Sequence, residues 1–212
     1  MMFNPKEHPR VVLLLSGGLD SATLLYHFLC DGVEVYPLYV QFGDNQAAQN
    51  ELRAVVELLK ASGAKDWKDR LRRVTILPFP PVNDNTAQLD YGIAKGYIPG
   101  RNTLFCSFAY QYAVQVGADV CIGVTASDAQ AFPDCRPYWA TEMRRVYAAN
   151  NRAFLHIGDG PRLLTPFINF DRREIRKMAA SLGVPVQHLS LCYTPLEDGS
   201  PCGECEGCKK DD

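Results

Sequence analysis

The feature that most constrains this chain is an unbroken apolar run, Arg10-Val-Val-Leu-Leu-Leu15, that stops at Ser16-Gly17-Gly18 and is followed by Leu24, Leu25, Phe28 and Leu29 at helical spacing. Continuous rather than alternating hydrophobicity suits a strand covered on both faces, which means a parallel sheet lying between two layers of helices. The same alternation continues downstream. Residues 33–41 read as a second strand, 45–62 as an amphipathic helix closed by Gly63, and 73–77 as a third strand ending at Pro78-Phe-Pro-Pro81. Residues 103–116 are mostly apolar with Gly117 as a stop, 119–124 form a short buried strand, and 138–150 a helix. Asp171 and Glu174 make a capping box for a last helix running through Ile175, Met178 and Leu182 to Gly183. The expected fold is α/β, a doubly wound and mostly parallel sheet with helices on both faces. Such sheets place ligands beyond the carboxyl ends of their strands, and the first such end is Ser16.

Charge and cysteine usage narrow the function. Lys and Arg number 22 against 24 Asp and Glu, a formal charge of −2, so no broad electrostatic footprint for nucleic acid or anionic membrane is expected. No apolar run approaches the roughly 20 residues of a membrane span, and the start has no signal-peptide h-region, which points to the cytoplasm. The eight cysteines are then reduced. Cys30, Cys106, Cys121 and Cys135 are scattered, mostly in apolar contexts, and read as small core residues. Cys192, Cys202, Cys205 and Cys208 crowd a segment of Gly, Pro and charge that has too few apolar residues to build a core. The expected division is therefore a main domain over residues 1–189 and a four-cysteine tail over residues 190–212 packed on it.

Between strand and helix, Ser16-Gly-Gly-Leu-Asp-Ser21 offers unpaired N–H groups and the positive end of a helix dipole. Two glycines allow close approach of the backbone to an anion, two serine hydroxyls add donors, and Asp20 can hold a divalent cation. The plain alternative is an ordinary turn capped by Asp20 or Ser21. A Walker loop is excluded because no Gly-Lys-Ser/Thr is present, and the three-glycine Rossmann spacing is missing too. The spacing Cys192-x9-Cys202-x2-Cys205-x2-Cys208 supplies the four thiolates of a closed tetrahedral zinc site, with an iron–sulfur cluster or a redox Cys-x-x-Cys pair as the alternatives. Two further loops carry Arg101 with Asn102 and Asp134 with Arg136, which taken alone could equally be surface residues or helix caps.

The hexapeptide resembles the PP-loop of N-type ATP pyrophosphatases, which cleave ATP between the α and β phosphates and transfer AMP to a substrate oxygen. In chain order it is joined by Tyr97-Ile-Pro-Gly-Arg-Asn-Thr103, Phe132-Pro-Asp-Cys-Arg136, Thr165-Pro-Phe-Ile-Asn-Phe-Asp-Arg-Arg-Glu-Ile175 and the cysteine tail. Together, from Val11 to Cys208, they resemble the 7-cyano-7-deazaguanine synthase family. The resemblance implies an adenine nucleotide alpha hydrolase-like fold, ATP and Mg²⁺, a zinc-bound tail, a homodimer, and 7-carboxy-7-deazaguanine plus ammonia as substrates. It implies adenylation of the carboxylate, displacement of AMP by ammonia to give the amide, and a second adenylation that eliminates the amide oxygen to leave the nitrile. Carried onto this chain, Leu14, Leu15, Ser16, Gly17, Gly18, Leu19, Asp20, Ser21, Ala22, Thr23 and Asn102 would surround the nucleotide. Ser16, Asp20, Arg101, Asp134 and Arg136 would act in the chemistry, and Cys192, Cys202, Cys205 and Cys208 would hold zinc. One segment departs from the family pattern: where Tyr-Gly-Gln-x-His is usual, this chain has Phe42-Gly-Asp-Asn-Gln46, so an amide replaces an imidazole that can exchange protons near neutral pH. An enzyme that stops at the amide, or that joins the deazaguanine to a different amine, is the corresponding alternative.

Overall fold

In a computed structural model that describes residues 4–42, 45–76, 98–152, 160–192, 195–205 and 208, five parallel strands form one sheet in the order β3-β2-β1-β4-β5. The strands are β1 (Arg10–Leu14), β2 (Glu34–Phe42), β3 (Arg72–Ile76), β4 (Asp119–Cys121) and β5 (Leu163–Leu164). The helices are α1 (Leu19–Cys30), α2 (Gln46–Ala61), α3 (Trp67–Arg70), α4 (Arg101–Val116), α5 (Ala126–Ala131), α6 (Pro137–Asn150) and α7 (Arg172–Ser181). The doubly wound fold read from the sequence is the one observed.

The continuous apolar run of β1 is explained by two cores, one on each face. Val11, Leu13 and Leu15 pack with Leu24, Leu25 and Phe28 of α1, Val55, Leu58 and Leu59 of α2, and Ile175 of α7. Val12 and Leu14 point the other way, into Cys106, Ala109, Tyr112 and Ala113 of α4 and Met143 and Tyr147 of α6. Each fully buried side chain of this kind contributes roughly 1.5–3 kcal/mol, so β1 is the axis of the molecule. The chain winds outward from β1 to β2 and β3, then crosses to β4 and β5 on the other side. The seam between β1 and β4 is therefore the switch point, where the carboxyl ends of adjacent strands diverge and sheets of this class place their ligands.

Several expectations need correction. Residues 119–124 pair as a strand only through Cys121, although the Ile122 N–H still donates to the Leu164 carbonyl at 3.2 Å. The helix after Gly100 begins at Arg101 rather than Thr103, and β5, α3 and α5 are elements too short to leave a periodic signal. Cys106, Cys121 and Cys135 are buried as expected, whereas Cys30, at the last position of α1, is exposed. Leu77, the Pro78–Pro81 stretch, Gly96, Tyr97, Gly43, Asp44 and His156 lie outside the described residues. Among the described residues, no helix is long and apolar enough to cross a membrane.

Candidate functional site

The loop after β1 is shaped by close packing. Gly17 has φ of 80°, and a Cβ placed there would lie 2.7 Å from the Ala54 Cβ and 3.0 Å from the Glu51 carbonyl oxygen, so only glycine lets α2 sit behind the loop. Gly18 begins α1 in extended conformation, and no side chain caps the helix. The bonds within the loop are long: the Gly18 N–H to Ser16 Oγ is 3.4 Å, the Ser16 N–H to Ser21 Oγ is 3.3 Å, and the two hydroxyl oxygens are 3.2 Å apart. Donors held this loosely, at an uncapped helix start, suit an anion's oxygens better than they suit each other. Leu14, Leu15, Ala22 and Thr23 are buried in the core, with the Thr23 hydroxyl bonded to the Leu19 carbonyl at 2.7 Å. Leu19 is partly buried against the same core.

Asp20 stands where three elements meet. A Cβ on Gly123, just past β4, would lie 3.4 Å from the Asp20 Cβ and 3.3 Å from Leu24, so this glycine lets β4 run against α1. Asp128 is held by a capping box: its carboxylate accepts from the Thr125 N–H at 3.1 Å and hydroxyl at 2.8 Å. The start of α7 is stitched to the same loop by the Ala126 N–H to Phe170 carbonyl bond at 3.0 Å and the Arg172 N–H to Ser127 Oγ bond at 3.1 Å. Burial pushes the Asp20 carboxyl up to about 7, and the Asp128 carboxylate pushes the same way, while Arg172 and Arg176 oppose them. A divalent cation beside the loop is the kind of group that would favour its charged form. Asp128, Arg172 and Arg176 were not picked out from the sequence; the signal that could have found them is the topology, which sets the β4 exit against the β1 exit.

The two remaining loops do meet. The Asp134 carboxylate accepts the Asn102 backbone N–H at 3.1 Å, and the Asn102 amide donates to the Asp134 carbonyl at 3.1 Å and to the Cys135 sulfur at 3.4 Å. Asp134 is thus a buried anchor for the start of α4, which fixes where Arg101 begins its helix. Arg136 is exposed and donates from Nε to the Ala129 carbonyl at 3.1 Å. Arg101 faces Glu51, a carboxyl raised by burial and held back by the Arg101 charge and the Tyr39 hydroxyl. Tyr39 donates to the Ala48 carbonyl at 2.7 Å and lies 3.4 Å from Glu51. Glu51 and Tyr39 are further polar groups beside the loop that sequence reading missed, because both sit inside segments that read as helix and strand.

The four tail cysteines converge, with their sulfurs all within 4.8 Å of one another. Cys202 and Cys208 are 3.9 Å apart, Cys192 and Cys205 3.9 Å, and Cys205 and Cys208 3.5 Å. A tetrahedral ion with about 2.3 Å metal–sulfur bonds requires sulfurs about 3.8 Å apart, so the set fits such an ion. The N–H groups of Cys202 and Cys205 point at the sulfurs of Cys192 and Cys202, at 3.3 and 3.4 Å, as suits thiolates.

A model of the family described as queuosine biosynthesis protein QueC matches residues 10–211, almost the whole chain. The chain belongs to the QueC family. Two relatives of this QueC chain carry the name 7-cyano-7-deazaguanine synthase. The protein from Trichodesmium erythraeum is 34% identical over 211 residues, covering 94% of this chain and 92% of its own. The protein from Rickettsia bellii is 34% identical, covering 94% and 90%. Among solved structures, the NMN synthetase of Francisella tularensis aligns with a TM-score of 0.53 at 19% identity, over 96% of this chain and 80% of its own, a likeness of fold.

The Gln46 side chain is engaged with its neighbours on α2 and in the tail. Gln46 donates from Nε2 to Asn50 Oδ1 at 3.1 Å, and a Cβ on Gly199 of the tail would lie 3.1 Å from it. The other described histidines serve elsewhere: His8 lies 2.6 Å from Asp119, His27 stacks on Phe28, and His188 ends a short 3-10 turn. A cavity of about 990 Å³ at the opposite end of the sheet, lined by Arg10, Asp119, Arg144 and Arg162 among others, includes no residue of the Ser16–Ser21 loop.

Proposed function

We propose that this chain is an ATP-dependent carbon–nitrogen ligase that converts 7-carboxy-7-deazaguanine and ammonia to 7-cyano-7-deazaguanine, releasing AMP and pyrophosphate. The observation that carries the reading is the uncapped start of α1 at the β1/β4 switch point, with loosely held donors on one side and the raised Asp20 carboxyl on the other. Family membership supplies the substrate class.

A carboxylate oxygen is a poor leaving group, and adenylation makes it a good one. The substrate carboxylate attacks the α-phosphorus of ATP, the bond to the bridging oxygen of the β-phosphate breaks, and pyrophosphate departs. The N–H groups of residues 17–21 and the Ser16 and Ser21 hydroxyls would take up the charge that develops on the leaving diphosphate, with Arg172 and Arg176 supplying longer-range positive charge. Asp20 would hold Mg²⁺, which neutralises the phosphates when bound. Arg101, aligned by Asn102 and Asp134, would orient the acyl-adenylate; Arg136 would meet the substrate at the mouth of the crevice. Ammonia then displaces AMP, giving the amide; a second ATP would adenylate the amide oxygen, releasing pyrophosphate, and loss of AMP with the remaining N–H protons would leave the nitrile. Cys192, Cys202, Cys205 and Cys208 would hold zinc, and with all four positions filled by protein the ion would be structural.

A specific observation favours a second reading. Gln46 cannot exchange protons near neutral pH, and its amide is engaged with Asn50, so a reaction that needs an imidazole there would end at the amide or use another amine. The test is mass analysis of the product formed from purified protein, ATP, Mg²⁺, ammonium and 7-carboxy-7-deazaguanine. The nitrile supports the first reading and accumulated amide the second. No substrate-dependent AMP contradicts both.

A further inference from the structure

The tail touches the phosphate-loop region at two points, and each lies within three residues of a thiolate. It leaves the core at Ser190, whose N–H donates to the Gly17 carbonyl at 2.9 Å, two residues before Cys192. It returns at Gly199, whose carbonyl accepts from Asn50 Nδ2 at 2.9 Å, three residues before Cys202. Gly199 has φ of 84°, and a Cβ there would lie 3.1 Å from Gln46 Nε2 and 3.3 Å from Asn50 Oδ1, so the tail backbone lies directly on α2. Gln46 orients the Asn50 amide through its 3.1 Å bond. One turn further along the same helix, Ala54 fills the space beside Gly17. Gln46, Asn50 and Ala54 are four residues apart in succession and therefore share one stripe of α2 that runs from the tail to the loop. Leu191 and Leu196 of the tail are both exposed, so neither anchors the segment in the core.

We infer that Asn50 is a positioning residue that couples the four-thiolate site to the phosphate loop, so that metal and ATP bind cooperatively. The inference rests on the reading that residues 16–21 hold phosphates and the thiolates a metal. Metal closes the tail on itself and so holds Ser190 and Gly199 where they brace Gly17 and α2. Loss of metal frees both braces. By linkage, what the metal adds to ATP affinity ATP must add to metal affinity.

The experiment uses the full zinc-loaded chain and α,β-methylene-ATP, which cannot be cleaved at the reacting bond. Zinc transfer to a chromogenic chelator is timed with and without saturating analogue. In the wild type the analogue should slow release about fivefold or more. In Asn50→Ala, release should become indifferent to the analogue, with the KM for ATP raised about fivefold and kcat little changed. Asn50→Gln, which keeps the amide donor, should restore part of the coupling, and Gln46→Ala, which removes only its orientation, should give an intermediate value even if Asn50→Ala folds poorly. Full coupling in zinc-replete Asn50→Ala, or none in a wild type that binds both ligands, overturns this inference alone. Failure of the wild type to bind the analogue or to take up zinc overturns the parent reading and this inference with it.

Discussion

Two aspartates mark the two ends of the seam between β1 and β4, and their surroundings are opposite in kind. Asp119, at the amino end, accepts the Arg162 backbone N–H at 2.7 Å and its guanidinium at 3.1 Å, and lies 2.6 Å from His8 Nδ1. Asp20, at the carboxyl end, is desolvated beside a second carboxylate, Asp128, and the backbone hydrogen bond at its own position and the charges of Arg172 and Arg176 offset this only in part. The first is a carboxylate whose needs are met by the fold, and it holds the N-terminal segment and β5 onto the sheet. The second is pushed towards its neutral form by burial and a neighbouring carboxylate, the kind of environment that marks a candidate functional group.

Substitution should separate these roles. Asp20→Ala should lower AMP formation about a thousandfold, as expected for loss of a group that acts on transition-state charge, while the melting temperature holds or rises. A folded Asp20→Ala protein with normal turnover would break the contrast. The cysteine tail gives a third kind of region, one that the proposed zinc would order: Cys205→Ser should lose stoichiometric zinc by elemental analysis, and amide exchange in the tail should rise while β1 stays protected. Asp119→Ala should cost about 1–3 kcal/mol of unfolding free energy in denaturant titration, with kcat within about twofold, because it removes the acceptor that ties Arg162 and His8 to the sheet far from the chemistry.

The smallest expected effect concerns pH. Because the folded protein raises the Asp20 carboxyl from 3.8 to about 7, the fold binds that proton more tightly than the unfolded chain does. The stability of the ligand-free protein should therefore be greatest below pH 4, as far as this group is concerned, and fall as pH rises towards 7. Asp20→Asn should remove that slope and be more stable than wild type at pH 8, above the raised folded value. An unchanged pH–stability profile in Asp20→Asn would show that Asp20 is as well compensated as Asp119.

The legible parts of this molecule are those whose physics is local. Burial of β1 on both faces writes itself as five consecutive apolar residues, and a four-thiolate site writes itself as short cysteine spacing. The capping box at Asp171 and Glu174, with bonds of 2.8 and 2.7 Å, was readable for the same reason. What could not be read was set by contacts distant in sequence. Asp128 lies in a six-residue helix without apolar period, and it reaches Asp20 only because β4 pairs with β1. Asp134 could be foreseen as a cap, but the helix it caps begins 33 residues earlier in the chain, at Arg101, and a local reading looks only forward. The apolar neighbours of Cys30 in sequence suggest core, yet it falls at the last position of α1 and is exposed.

The central claim is that the β1–α1 loop receives the diphosphate of an ATP cleaved between its α and β phosphates. Isotope exchange between labelled pyrophosphate and ATP, run without ammonium, measures that cleavage directly. Exchange should require both 7-carboxy-7-deazaguanine and Mg²⁺ and should disappear in Asp20→Ala. Release of ADP and inorganic phosphate in its place, or exchange that persists in Asp20→Ala, would contradict it.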